Sequence, residues 1–270
     1  MKDVVFWELK QRRKVIFWWI AGSVVMTLVI MALFPSIRDK AADMNAVINQ
    51  MPKELRGLKT GGATQIDVGD PAQFLNSQLF YITLPMIWII LAITRGSGIL
   101  GREDQSHTLE LLLARPIARG KLLLAKAAAF VLEFAIVIGA TWLLLILFAP
   151  VFDLHISTAA LTLATLYTGI FSLSYGYIAF ALQAASALTK WAATAVVVAL
   201  GFGGYILAGL STLTDWLKYP VKLVPYHYFD MLTVLDGKSS APRGLLAYLV
   251  ATFALGTIVA YLGFRRRDVE

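Results

Sequence analysis

Gly237-Lys238-Ser239 has the ending of a phosphate-binding loop, in which backbone N–H groups cradle phosphate oxygens and the lysine neutralises them. The full pattern needs a glycine five positions before Gly237, and Leu232 stands there. ATP energy would therefore have to reach this chain from another one. His107, His155 and His227 lie in three separate segments and lack metal-ligand spacing. The absence of cysteine excludes a disulfide framework, a thiolate metal site and a cysteine nucleophile. No serine stands in a recognisable catalytic pattern. The expectation is a chain with no catalytic, cofactor-binding or metal-ligating residues of its own.

Glu133 is different, because it is the one acid well inside an apolar run. A carboxylate at a bilayer centre costs about 2.5–3.5 kcal/mol, and such residues usually face protein or water. Two roles fit. Glu133 could touch substrate or an ion in a central cavity. It could instead pair with Lys126, seven residues earlier on the same helix face, or bond to another helix. Gln183 poses the same question, and a structural role suits it better.

The elements that must position these residues are membrane spans. The chain is 58% hydrophobic and 15% charged, with a mean hydropathy of +0.69. A soluble domain carries about 25% charged residues. Here the charges sit in clusters, and the runs between them can cross a hydrocarbon core, which takes about 20 helical residues. The reading is an all-α integral membrane protein of one domain, with spans at 15–34, 76–94, 127–148, 158–187, 191–210 and 245–264. The first apolar run is too long for the core of a signal peptide, so it is expected to remain as a span. The net charge of +7 is read as basic residues retained on the cytoplasmic side rather than as a nucleic-acid site.

Six spans put the basic tail at 1–14, the segment 95–126, Lys190 and Arg265-Arg266-Arg267 on one face, which the positive-inside rule makes cytoplasmic. Both termini then lie in the cytoplasm. The opposite face carries a loop at 35–75 with five basic and five acidic residues, a short turn around Asp153, and the segment 211–244. That last segment is too aromatic for a solvated loop. Trp216, Tyr219, Pro225, Tyr226, His227, Tyr228 and Phe229 suit a re-entrant piece whose backbone is satisfied within protein or a wet cavity. The small-residue pairs Ala199/Gly203, Gly204/Ala208 and Gly256/Ala260 suggest that spans five and six pack closely, on each other or on a second subunit.

Residues 101–126 form the most distinctive segment. Acids at Glu103 and Asp104 come first, then the run Thr108-Leu109-Glu110-Leu111-Leu112-Leu113, then Arg115, Pro116 and a basic stretch ending at Lys126. Leu109, Leu112 and Leu113 share one helix face. Pro116 ends the helix, which restarts toward span three. An amphipathic helix on the lipid surface would explain the bases. The acids beside the leucine ridge favour a protein groove as well.

On these residues the chain resembles a small six-span permease of the type-2 ATP-binding-cassette (ABC) family. The resemblance rests on Glu103, Thr108-Leu109-Glu110, Leu112-Leu113, Arg115-Pro116-Ile117, Arg119 and Lys126, with His107 where the family often has glycine. Glu8-Leu9-Lys10 with Arg12 and Arg13, Pro35, Pro225-Tyr226-His227-Tyr228-Phe229 and Phe264-Arg265-Arg266-Arg267-Asp268 add to it, so it covers the whole chain. It implies an amino-terminal interfacial helix at 1–14 and a coupling helix near 101–119. It also implies two cytoplasmic ATPase subunits that supply ATP and magnesium, and a second permease copy or a sister permease in the plasma membrane. Export of a substrate is the activity most relatives share. A stand-alone secondary transporter or channel is the alternative reading. In the ABC reading, Glu103, Glu110, Leu112 and Arg115 would meet the ATPase. Leu112→Asp is expected to leave membrane insertion intact and abolish ATPase association in a detergent pull-down; unchanged association would refute the coupling-helix assignment.

Overall fold

A computed structural model describes residues 2–51, 67–105, 119–185, 189–211, 215–240 and 242–265. Among them are six helices long and apolar enough to cross a membrane, within 5–38, 71–99, 120–148, 158–184, 190–210 and 243–264. There is no strand among the described residues. The chain is an all-α, multi-pass membrane protein.

Span one is a single helix, Lys2–Arg38. The segment 1–14, expected as an interfacial helix, is continuous with the span from Lys2 onward. No proline precedes Pro35, so nothing in the sequence forces a bend there. The helix has two opposed faces. Glu8, Arg12, Ile16, Ser23, Thr27, Ile30, Met31 and Phe34 recur at three- and four-residue spacing and are all buried. Trp18, Val25, Met26, Val29 and Leu33 are exposed. Within the bundle the Ser23 hydroxyl accepts from the Trp88 indole at 3.3 Å.

Span two begins at Asp70, whose carboxylate caps the helix Pro71–Leu75 by accepting the Gln73 N–H at 2.9 Å. It continues as a π-helix over Asn76–Thr83 and as an α-helix over Leu84–Gln105. Pro85 accounts for the widened stretch. It has no N–H for the Tyr81 carbonyl, and its ring crowds that turn, so the preceding residues take the wider winding. Span three is Arg119–Phe148. Span four, Thr158–Ala184, is capped by Ser157, and span five, Lys190–Leu210, by Thr189. Span six is Arg243–Arg265.

Spans two and three thus extend well past the expected limits of Thr94 and Ala127. The charges that marked those limits, Arg95 and Lys126, are buried in the bundle. Contacts show which helix ends lie together. Arg38 at the end of span one meets Asp153 in the turn between spans three and four at 3.1 Å. Tyr167 of span four donates to the Ser240 carbonyl at 2.8 Å. At the other end, Gly263 of span six abuts Ala185, just after span four.

Span four is the hub, packed against spans two, three, five and six. Its closest neighbour is span two. A Cβ on Gly96 would sit on the Gly176 carbonyl, and one on Gly176 on the Ala92 carbonyl. Ala92/Gly96 and Ser172/Gly176 are therefore the small-residue pairs that set the tightest crossing. The pairs singled out from sequence serve other contacts. Gly204 faces Val224 of the irregular segment, Gly256 faces Tyr177 of span four, and nothing lies within 4 Å of a Cβ at Gly203. Gly176→Ala is expected to cost about 1–3 kcal/mol through overpacking and to lower the thermal unfolding midpoint in detergent. Gly203→Ala should leave the midpoint unchanged; equal midpoints for the two variants would refute the close crossing.

Candidate functional site

Two polar features lie inside the bundle, near opposite ends of span two. The first is built on the buried face of span one. Glu8 and Arg12 are one helical turn apart there, and they meet Arg95 of span two with Lys126 and Glu133 of span three. Arg12 Nε donates to Glu133 Oε1 at 3.0 Å, and Arg95 Nε to Glu133 Oε2 at 2.6 Å. Arg95 Nη2 donates to Glu8 Oε2 at 2.9 Å, and Lys126 Nζ to Glu8 Oε1 at 3.0 Å. Lys126 also donates to the Ile99 carbonyl at 3.3 Å. The result is one unbroken chain, Arg12–Glu133–Arg95–Glu8–Lys126, with every carboxylate oxygen engaged.

All five side chains are buried, Glu133 to 1% exposure and Lys126 to 2%. Such a cluster is tolerable only because each charge has an opposite partner at hydrogen-bonding distance. Among the described residues, three cations face two carboxylates. Glu133 bonds to other helices, and Lys126 takes Glu8 instead of Glu133. Glu8, Arg12 and Arg95 were not picked out from sequence as a site. The available signal was their placement: Glu8 and Arg12 fall on the same strip of span one as Ile16, Ser23 and Thr27.

The second feature is the segment between spans five and six. It runs through short 3₁₀ turns at Asp215–Lys218, Pro220–Leu223 and Pro225–Tyr228, then a helical turn at Leu232–Leu235. Pro225, Tyr226 and Phe229 are buried, Tyr228 is half-buried and His227 is exposed. Phe229 stacks on Phe171 of span four at 4.2 Å between centroids. Tyr226 meets Tyr81 of span two and Tyr205 of span five at 6.0 and 5.7 Å. The Tyr175 hydroxyl lies 3.9 Å from the position of a Cβ on Gly204, with the Tyr226 ring 3.7 Å from the same point. Burial, with Tyr81 and Tyr205 adding, pushes the Tyr226 phenol well above its ordinary value, so it stays a neutral donor. The hydroxyls of Tyr81, Tyr175 and Tyr226 have no hydrogen-bond partner among the described residues. A buried phenol left that way loses about 1–3 kcal/mol.

Other candidates are more dispersed. Gln183 is buried near the end of span four, and its Oε1 is likewise without a partner among the described residues. Glu103 lies on the last turns of span two, where only the backbone is described. Thr108, Leu109, Glu110, Leu112, Leu113, Arg115 and Pro116 lie outside the described residues. His155 approaches the Asp153 carbonyl through Nδ1 at 2.9 Å, while His227 packs edge-on to Tyr228. No group of three His, Cys, Asp or Glu side chains among the described residues could hold a metal ion.

Residues 4–269 match the family described as ABC-2 family transporter protein. The chain belongs to that family. No curated protein matches the chain. With six spans and a family match over nearly its full length, this ABC-2 protein is a membrane-spanning permease of the ABC transporter type.

The ion cluster makes a direct energetic demand on this permease. Glu133→Ala would leave Arg12 and Arg95 without their shared carboxylate, which is expected to cost about 3–5 kcal/mol. Asp39→Ala removes half of an exposed pair with Arg38 and should cost less than about 1 kcal/mol. Thermal unfolding of the two purified variants checks this; similar midpoints would show that the cluster does not hold the helices together.

Proposed function

We propose that this permease is the membrane half of an ABC exporter of the plasma membrane, with both termini in the cytoplasm. Two copies of a separate cytoplasmic ATPase drive it, binding ATP and magnesium. It pairs with a second copy of itself or with a sister permease. The family match over 4–269 carries the reading.

The ion cluster gives this reading a mechanical basis. Segment 106–118 joins the ends of spans two and three. Just inside those ends, Arg95, Lys126 and Glu133 tie both spans to span one. A push on the segment by a closing ATPase would move the three helices as one body. The permease would shift between inward- and outward-open states as ATP binding favours one of them. The partnerless hydroxyls of Tyr81, Tyr175 and Tyr226 are the groups in this permease best suited to meet an acceptor on the cargo.

A stand-alone secondary transporter would use buried ionisable groups to carry its coupling ion. Here Glu8 and Glu133 have all four oxygens bound by arginine or lysine. That arrangement suits a clamp better than a site that loads and releases an ion. A mild-detergent pull-down of the tagged chain from its own membranes, followed by mass spectrometry, tests the proposal. An ABC ATPase at about equal stoichiometry is the expected result. Its reproducible absence from intact, inserted protein would overturn the reading in favour of a stand-alone transporter.

A further inference from the structure

The outer face of span one carries a second charged feature, separate from the ion cluster. Trp7, Lys10, Lys14 and Trp18 follow one another at three- and four-residue spacing and so form one strip along the helix. Arg13 and Gln11 flank it. Trp7, Lys10, Gln11, Arg13 and Lys14 line an open surface concavity on this face. Lys10, Arg13 and Lys14 are exposed, and none of them has an ion-pair partner among the described residues. The nearest acid on the strip by sequence is Asp3, about two turns before Lys10.

The strip continues directly into a lipid-facing surface. Trp18 is 71% exposed, and Val25 and Val29 follow on the same face. Trp7 is 54% exposed at the other end of the cations. Three cations bracketed by tryptophans, at the point where an exposed apolar strip gives way to charge, match the polar boundary of a bilayer. Indole rings favour that depth, and lysine and arginine stems reach toward headgroups from it. The ion cluster on the opposite face fixes the rotation of span one through Glu8 and Arg12. The outer cations are therefore held at a set azimuth instead of sweeping the surface.

The geometry points to a binding site for an anionic phospholipid headgroup on span one, with Lys10, Arg13 and Lys14 meeting the phosphate, Trp18 seating the glycerol and upper acyl region, and Trp7 bordering the headgroup on the side away from the apolar strip. This site stands apart from the ATPase reading and does not depend on it. Charge complementarity selects the occupant: the strip is cationic, and its continuation is built for acyl chains.

The test is native mass spectrometry of the full chain purified in detergent and exposed to equal amounts of phosphatidylglycerol and phosphatidylcholine. The wild type is expected to retain phosphatidylglycerol selectively. Each basic residue near an anionic membrane surface contributes about a fivefold gain in binding, so the K10Q/R13Q/K14Q variant should lose on the order of a hundredfold. K10R/K14R should retain binding, since it keeps every charge. A variant at Lys222, a cation of the segment between spans five and six, should bind like the wild type. Equal retention of the two lipids by the wild type would overturn the site. So would unchanged retention by the triple variant, or a triple variant that keeps its lipid but loses association with a second copy or a protein partner. Monodisperse elution and an unchanged helical spectrum of the triple variant separate lost binding from lost folding.

Discussion

Placing a carboxylate inside an apolar bundle is unfavourable unless its neighbours replace the water it gives up, and that constraint organises one half of this molecule. Glu133 can be buried because Arg12 and Arg95 reach it, Arg95 because Glu8 takes its other edge, and Lys126 because Glu8 has an oxygen left over. The arrangement is mutual, so removing one member strands its neighbours. It also accounts for the lengths of three helices. Span one must begin early enough to bring Glu8 and Arg12. Span two must stay helical past Arg95, and span three must start before Lys126.

The other half depends on close backbone approach. Gly96 and Gly176 let spans two and four meet with no side chain between them. Span four then has room on its remaining sides for spans three, five and six. The Pro85-linked π-helix lies on span two and carries Tyr81 toward Tyr226. Span two thus has a charged end tied to spans one and three and an aromatic end tied to the irregular segment. A movement of one end has a rigid route to the other, since helix and tight crossing leave little slack.

Much of this was legible in the sequence. Six apolar runs gave the all-α membrane architecture, whereas the aromatic run 225–229 read as a piece at headgroup depth, and its Tyr226 and Phe229 are buried against other spans. The charged segment at 101–126 gave the family. The ion cluster was hidden for a physical reason. Arg95 and Lys126 read as the ends of spans because an isolated charge in an apolar run usually marks where water begins. Their shared partner is far away in sequence: Glu8 is 87 residues from Arg95 and 118 from Lys126. The crossing at Gly96 and Gly176 was legible in principle, because Ala92/Gly96 and Ser172/Gly176 are small-residue pairs like those noticed elsewhere. The chosen pairs on spans five and six had equal spacing but different neighbours, and spacing alone does not identify a neighbour.

The continuity of span one has a consequence for biosynthesis. Chains emerge amino-terminus first, so Glu8 and Arg12 are made long before the residues that neutralise them. Before span two arrives they have each other, one helical turn apart. Arg95 then comes with span two and takes one edge of Glu8. Only when span three has followed, through Lys126 and Glu133, can the network close. The order of synthesis thus makes the burial of this end of the first helix wait for the third.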